Sequence, residues 1–150
     1  MKALLFTVLP FLIASCGVYA WYPYVTRDFE LGKPKEATVG SVMIGWETGS
    51  DYMQYEKWLV DRKGLRKELI YNGLIQGILQ VSYREFAVDV RGAYARPAFN
   101  QELKYELANS PEITFQDVRI RIESADQSKV VFVLLQEPTE TKIDTSAAKK

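Results

Sequence analysis

Strict alternation of apolar and polar residues recurs along this chain, with no long amphipathic helical pattern beside it. In 77–86, Leu79, Val81 and Tyr83 share one parity and Gln80, Ser82 and Arg84 the other. A period of two puts the first set on one face of a strand and the second on the opposite face, as in a half-buried antiparallel strand. Val42, Ile44 and Trp46 fall on one face in the same way, so Trp46 is expected in the core. Leu65, Leu69 and Tyr71 share parity ahead of Asn72-Gly73, a strong turn dipeptide, which predicts a hairpin with its loop between 72 and 77. The segment 99–107 reads as strand from Leu103, Tyr105 and Leu107, although Phe99, Leu103 and Leu107 also fit a helical spacing. Parity switches at Gln116-Asp117, between Ile113/Phe115 and Val118/Ile120/Ile122, and requires a bulge or a tight connection. Residues 130–135 form a continuous apolar run, the pattern of a strand buried on both faces. Six or seven short strands with turns every 8–12 residues predict an all-β fold, an antiparallel sandwich or small barrel.

Composition excludes several chemistries. Of 150 residues none is histidine and one is cysteine. Ser-His-Asp triads, Cys-His dyads, His-ligated zinc and intrachain disulfides are therefore out of reach. Nineteen basic and nineteen acidic residues cancel, which removes the electrostatic drive toward nucleic acid. No Asp/Asn-rich calcium loop is present, and no metal or cofactor is expected.

The N-terminus carries a different signal. Lys2 precedes an uncharged apolar run that ends in Ile13-Ala14-Ser15-Cys16, the layout of an export signal. Those four residues resemble a bacterial lipoprotein lipobox. The resemblance implies that the Cys16 thiol receives a diacylglyceryl group, that the chain is cut before it, and that the membrane is the first partner. Two or more acyl chains anchor a protein stably, whereas one holds it only marginally. Gly17 stands where Asp would imply inner-membrane retention. In a Gram-negative host the resemblance thus implies the outer membrane, facing the periplasm. Two other readings stay open: plain secretion with a cut near Ser15 or Ala20, and an uncleaved anchor, since no charge occurs between Lys2 and Arg27. The segments 67–73, 82–86, 95–99 and 113–115 are also similar to small bacterial lipoproteins, a likeness that brings no activity with it.

The expected organisation is a signal over 1–15, a tether over 16–37, a β domain over 38–136 and a disordered tail over 137–150. Pro23 and Pro34 discourage regular structure in the tether, and the tail is Pro, Thr, Ser, Ala and Lys with few apolar residues. In the tether, Tyr19, Trp21, Tyr22 and Tyr24 read either as an interfacial aromatic girdle or as caps on the core.

The candidate ligand-binding residues are Tyr52, Tyr55 and Trp58, in a stretch that reads as an irregular loop or a helical turn. Flat rings in an exposed loop form stacking platforms for sugars or anchors for proteins. The competing reading has Trp58 plugging the core beside Leu59 and Val60. Carboxylate pairs such as Glu85/Asp89 and Asp51/Glu56 read as solvated surface charges rather than acid/base pairs. Arg84, Arg91 and Arg96, interspersed with acids, read as a salt-bridged surface. The sequence thus predicts a lipid-anchored envelope protein with a non-enzymatic binding or structural role. Its partner would be an envelope protein or a glycan. A peptidoglycan- or oligosaccharide-binding module is the alternative, ahead of a carboxylate-based hydrolase.

Overall fold

The computed structural model describes residues 17–142. The alternating segments form ten strands: β1 (Tyr19–Arg27), β2 (Pro34–Thr38), β3 (Val42–Gln54), β4 (Trp58–Ile75), β5 (Ile78–Asp89), β6 (Gly92–Ala95), β7 (Gln101–Glu106), β8 (Glu112–Phe115), β9 (Val118–Ala125) and β10 (Lys129–Gln136). Every pairing is antiparallel. One sheet has six strands in the order β1-β3-β4-β5, with β6 and β7 both on the far edge of β5. The other has four, ordered β2-β10-β9-β8.

The two sheets pack as a sandwich, because each presents one apolar face. Ile44, Trp46, Leu69, Tyr71, Leu79, Val81 and Tyr83 come from the larger sheet, and Ile113, Val118, Ile120, Ile122, Val130, Phe132 and Leu134 from the smaller. These residues make one continuous buried cluster, so the described residues share a single core. Trp46 lies in it, as its parity requires. Tyr71 is fully buried and its hydroxyl donates to the Asp126 carbonyl, which satisfies the polar end of a core ring.

Two details differ from the pattern in the sequence, and a third takes one of the alternatives it left open. The expected turn at Asn72-Gly73 is a register shift inside β4, with Gly73 at φ +117°, and the chain reverses at Gln76-Gly77. The parity switch at Gln116-Asp117 is the tight β8–β9 turn, with Gln116 at φ +52°. In β10, Val130, Phe132, Val133 and Leu134 are buried while Val131 and Leu135 are half-buried, so burial on the second face is partial.

The ordered body also reaches beyond the expected 38–136 at both ends. The 16–37 segment is no lead-in: it contributes β1 and β2, and Phe29 between them enters the core. Both prolines are accommodated because they lie on edge strands, where a missing N–H breaks no ladder.

Past β10, residues 137–142 form a strap across the sandwich rather than a disordered tail. Pro138 and Thr141 are buried there. Glu137 pairs with Arg27 at 2.5 Å. Glu140 accepts hydrogen bonds from the Trp46 indole N–H and from Lys67 Nζ at 2.8 Å. The Thr139 amide donates to Asp117 Oδ2 at 2.5 Å. The remainder of that expected tail, and the expected signal with Cys16, lie outside the described residues.

Phe132→Ala is expected to destabilise the protein by about 3–5 kcal/mol, the range for emptying a buried phenylalanine site, read by urea denaturation. Truncation after Gln136 should lower the melting temperature; an unchanged midpoint would show that the strap contributes nothing. Burial opposes ionisation of Asp117, but the Thr139 side chain and amide outweigh it and lower its pKa. The strap's stabilisation by Asp117 is therefore complete above the ordinary carboxylate range of about 4 and fades as pH falls through the lowered value. Asp117→Asn should remove that acid dependence from the melting curve.

Candidate functional site

The larger sheet overhangs the smaller one. From Tyr19 to Arg27, from Thr48 to Gln54, and from Trp58 to Lys67 no residue is fully buried. The seven residues of β3 from Thr48 onward span roughly 24 Å at about 3.4 Å per residue. This three-stranded extension ends in the β3–β4 hairpin and carries the exposed Tyr19, Trp21, Tyr22, Tyr55 and Trp58.

Its outer face is tied by one side-chain chain. Gly49 and Gly64 stand opposite each other in the β3–β4 ladder. The Tyr24 ring lies over them: a Cβ at Gly49 would sit 2.8 Å from Tyr24 Cε1 and would collide with the Lys63 carbonyl oxygen, and a Cβ at Gly64 would collide with the Tyr24 hydroxyl. An aromatic ring thus supplies the cover that two glycines lack. The Tyr24 hydroxyl donates to Glu47 Oε1 at 2.7 Å, and Arg66 holds the other oxygen through Nε at 2.8 Å and Nη2 at 2.7 Å. Arg62 stacks 4.5 Å from the centre of the Tyr24 ring and makes a two-pronged bridge to Asp51 at 2.6 and 2.8 Å. Burial, then the Glu47 hydrogen bond, pushes the Tyr24 pKa up, so the hydroxyl stays a donor at neutral pH.

The opposite face and the tip hold the sequence-predicted residues. Tyr52 stacks with Tyr19 at a centroid distance of 5.6 Å and meets Trp21 at 5.0 Å. Lys63 Nζ lies 5.4 Å from the Trp21 ring. Tyr55, in the turn, and Trp58, at the start of β4, meet edge to face at 5.9 Å. The expected loop over 52–61 is thus a strand end, a tight turn and a strand start. The core-plug reading of Trp58 fails: its exposure is 59%, against 39% for Tyr55. Tyr19 and Trp21 stand apart from this group in the sequence, with thirty or more residues between them and Tyr52; the pairing of β1 with β3 brings them together.

The turn itself is strained. Tyr55 and Glu56 both have positive φ, +52° and +58°, and the Lys57 amide donates to the Gln54 carbonyl at 3.1 Å. Asn-Gly is the usual pair at two such positions, since a side chain there costs free energy. The Tyr55 amide donates to the Val18 carbonyl at 2.8 Å, so the first described residues are tied to the tip. Gly17 lies against it as well: a Cβ there would be 2.9 Å from the Tyr19 ring and 3.4 Å from the Tyr55 hydroxyl.

Clefts lie elsewhere. One of about 260 Å³, at the base of the overhang, is lined in part by Asp28, Trp46, Glu47, Arg66 and Glu68. A second, of about 170 Å³, lies between Phe29, Lys33 and Phe132. Tyr52, Tyr55 and Trp58 line neither. The carboxylates weighed from the sequence each have a partner: Glu85 with Arg96, Asp89 with Arg91, Asp51 with Arg62, and Glu56 with the Tyr22 hydroxyl. Hydrogen bonds from the Arg91 backbone and then its side chain hold Asp89 below the usual carboxylate range. Among the described residues, no group of three or more Asp, Glu or Cys is placed to hold a metal ion, and no helix is long and apolar enough to cross a membrane.

Comparison with protein-family models, with curated proteins and with solved structures returns no match.

Gly49→Ala should cost about 1–3 kcal/mol, the range for overpacking, because the colliding atom is backbone and cannot step aside. Glu56→Gly should stabilise by about 1 kcal/mol by relieving the left-handed strain. Both are read by equilibrium denaturation, and a destabilising Glu56→Gly would show that its bond to Tyr22 outweighs the strain.

Proposed function

We propose that this protein is a lipid-anchored component of the bacterial cell envelope, held through Cys16, with a non-enzymatic binding or structural role. The observation that carries the reading is the closeness of motif and domain. Cys16 closes a lipobox-like sequence, and β1 begins at Tyr19 with only Gly17 and Val18 between. The three steps from Cys16 to Tyr19 span at most about 11 Å of extended chain. A domain joined so closely to an acylated cysteine is confined to the layer next to the bilayer. Confinement raises its effective concentration toward other envelope molecules without any new contact. In a Gram-negative cell, Gly17 directs it to the periplasmic face of the outer membrane.

A second reading rests on the exposure of Trp58 beside Tyr55. An open indole face suits stacking on a sugar ring, so peptidoglycan or an oligosaccharide is the alternative ligand. Retention of the protein on immobilised peptidoglycan, lost in Trp58→Ala, would favour it.

Cys16→Ser is expected to abolish metabolic labelling by fatty acid and to leave the protein unprocessed at that site. Intact mass is the direct measurement: a mature chain starting at a diacylglyceryl-modified Cys16 supports the proposal. A chain that retains Met1 with an unmodified thiol overturns it.

A further inference from the structure

We infer that the tip of the overhang is a membrane-docking surface whose occupant is the headgroup layer of the bilayer that holds the anchor. The inference rests on the proposed acylation of Cys16 for its orientation, but its evidence is separate. Tyr19, Trp21, Tyr52, Tyr55, Trp58 and Leu59 gather at one end of the molecule, from two hairpin strands and the edge strand beside them. Trp21, at 46% exposure, and Trp58 show much of their surface to solvent. Tyrosine and tryptophan favour the water–lipid boundary, where the ring is sheltered and the N–H or O–H stays wet.

The position of the N-terminus selects the bilayer over other occupants. The chain enters the structure at this same end: Gly17 lies against Tyr19 and Tyr55, and the Val18 carbonyl accepts from the Tyr55 amide. The uncharged run of 3–15 and Cys16 immediately precede that point. Any hold of the membrane on those residues therefore brings the tip to the same surface.

Local charge fixes the depth and the forces. Glu56 and Lys57 occupy the turn, and Arg62 and Lys63 stand behind it with Asp51 and Asp61. Such a tip rests among headgroups rather than entering the hydrocarbon. Because the signs balance, attachment should be insensitive to ionic strength and to the fraction of anionic lipid. The strain at Tyr55 fits the same assignment: an aromatic ring is kept where turn geometry prefers Asn or Gly.

The test uses the full chain as isolated from cells, in vesicles of phosphatidylethanolamine and phosphatidylglycerol that contain a lipid brominated near the top of its acyl chains. Bromine should quench Trp21 and Trp58 and spare Trp46, which is buried in the core. In Tyr55→Ser/Trp58→Ser, quenching of Trp21 should be lost while the melting temperature stays near wild type. Mass spectrometry of the same sample reads Cys16 independently. Acylated Cys16 without quenching overturns the docking surface and leaves the anchor standing. Quenching with an unmodified thiol supports the docking surface and overturns the anchor. Shielding of Trp58 by soluble peptidoglycan fragments, or by concentration-dependent self-association, with no quenching in vesicles, assigns the tip to a glycan or to a second copy and overturns the inference.

Discussion

The packing of Tyr24 across Gly49 and Gly64 is the contact on which the outer half of the molecule depends. A three-stranded ribbon with no sheet beneath it gains little from apolar burial. Here two strands come together at paired glycines, which leave a bare strip of backbone, and a ring from the third strand covers it. The hydroxyl of that ring reaches Glu47, Glu47 holds Arg66, and the ring face carries Arg62, which in turn holds Asp51. Exposed ion pairs contribute little singly. This set differs because Glu47 is nearly buried and its oxygens are shared between Tyr24 and Arg66. Losing either partner would leave a shielded charge without compensation.

The ribbon and the sandwich are therefore stabilised by different physics. The sandwich rests on apolar burial between two faces, with Phe132, Tyr71 and Trp46 among its large members. The ribbon rests on a ring over glycines and a ladder of charge. The strap joins the two regimes: Glu140 accepts from the indole of Trp46, a core residue, and from Lys67, which pairs across the ladder with Trp46. A polar segment can thus fix the rim of an apolar core without contributing much apolar area of its own.

This division explains what the sequence disclosed. Period-two burial writes itself into residue types, so β5, β9 and the core position of Trp46 could be read directly, and with them the all-β class, as a sandwich or a small barrel. The strap could not, because its order comes from Glu137, Glu140 and Asp117 reaching partners far along the chain, while its composition is that of a tail. β1 and β2 were hidden by Pro23 and Pro34, which exclude a central strand but not an edge one. Asn72-Gly73 misled for a related reason: the left-handed backbone it favours serves a bulge in β4 as well as it serves a turn. The β3–β4 turn was invisible because Tyr55 and Glu56 are not turn formers. Of the candidate site, Tyr52, Tyr55 and Trp58 were identifiable as a local aromatic group, but the half supplied by Tyr19 and Trp21 required the register of β1 on β3.

The residues of the β3–β4 turn are informative about the tip itself. Where local preference and global structure agree, a sequence lowers its free energy at no expense, and turns ordinarily do so with Asn or Gly. At Tyr55 and Glu56 they disagree, and the cost is borne at an exposed turn, where no core packing repays it. The amide of Tyr55 holds the Val18 carbonyl and its ring meets Trp58, so the strained turn fastens the entering chain and displays the aromatic pair at once. A surface built only to end a hairpin would need neither ring. The proposed docking at a headgroup layer would give both a use.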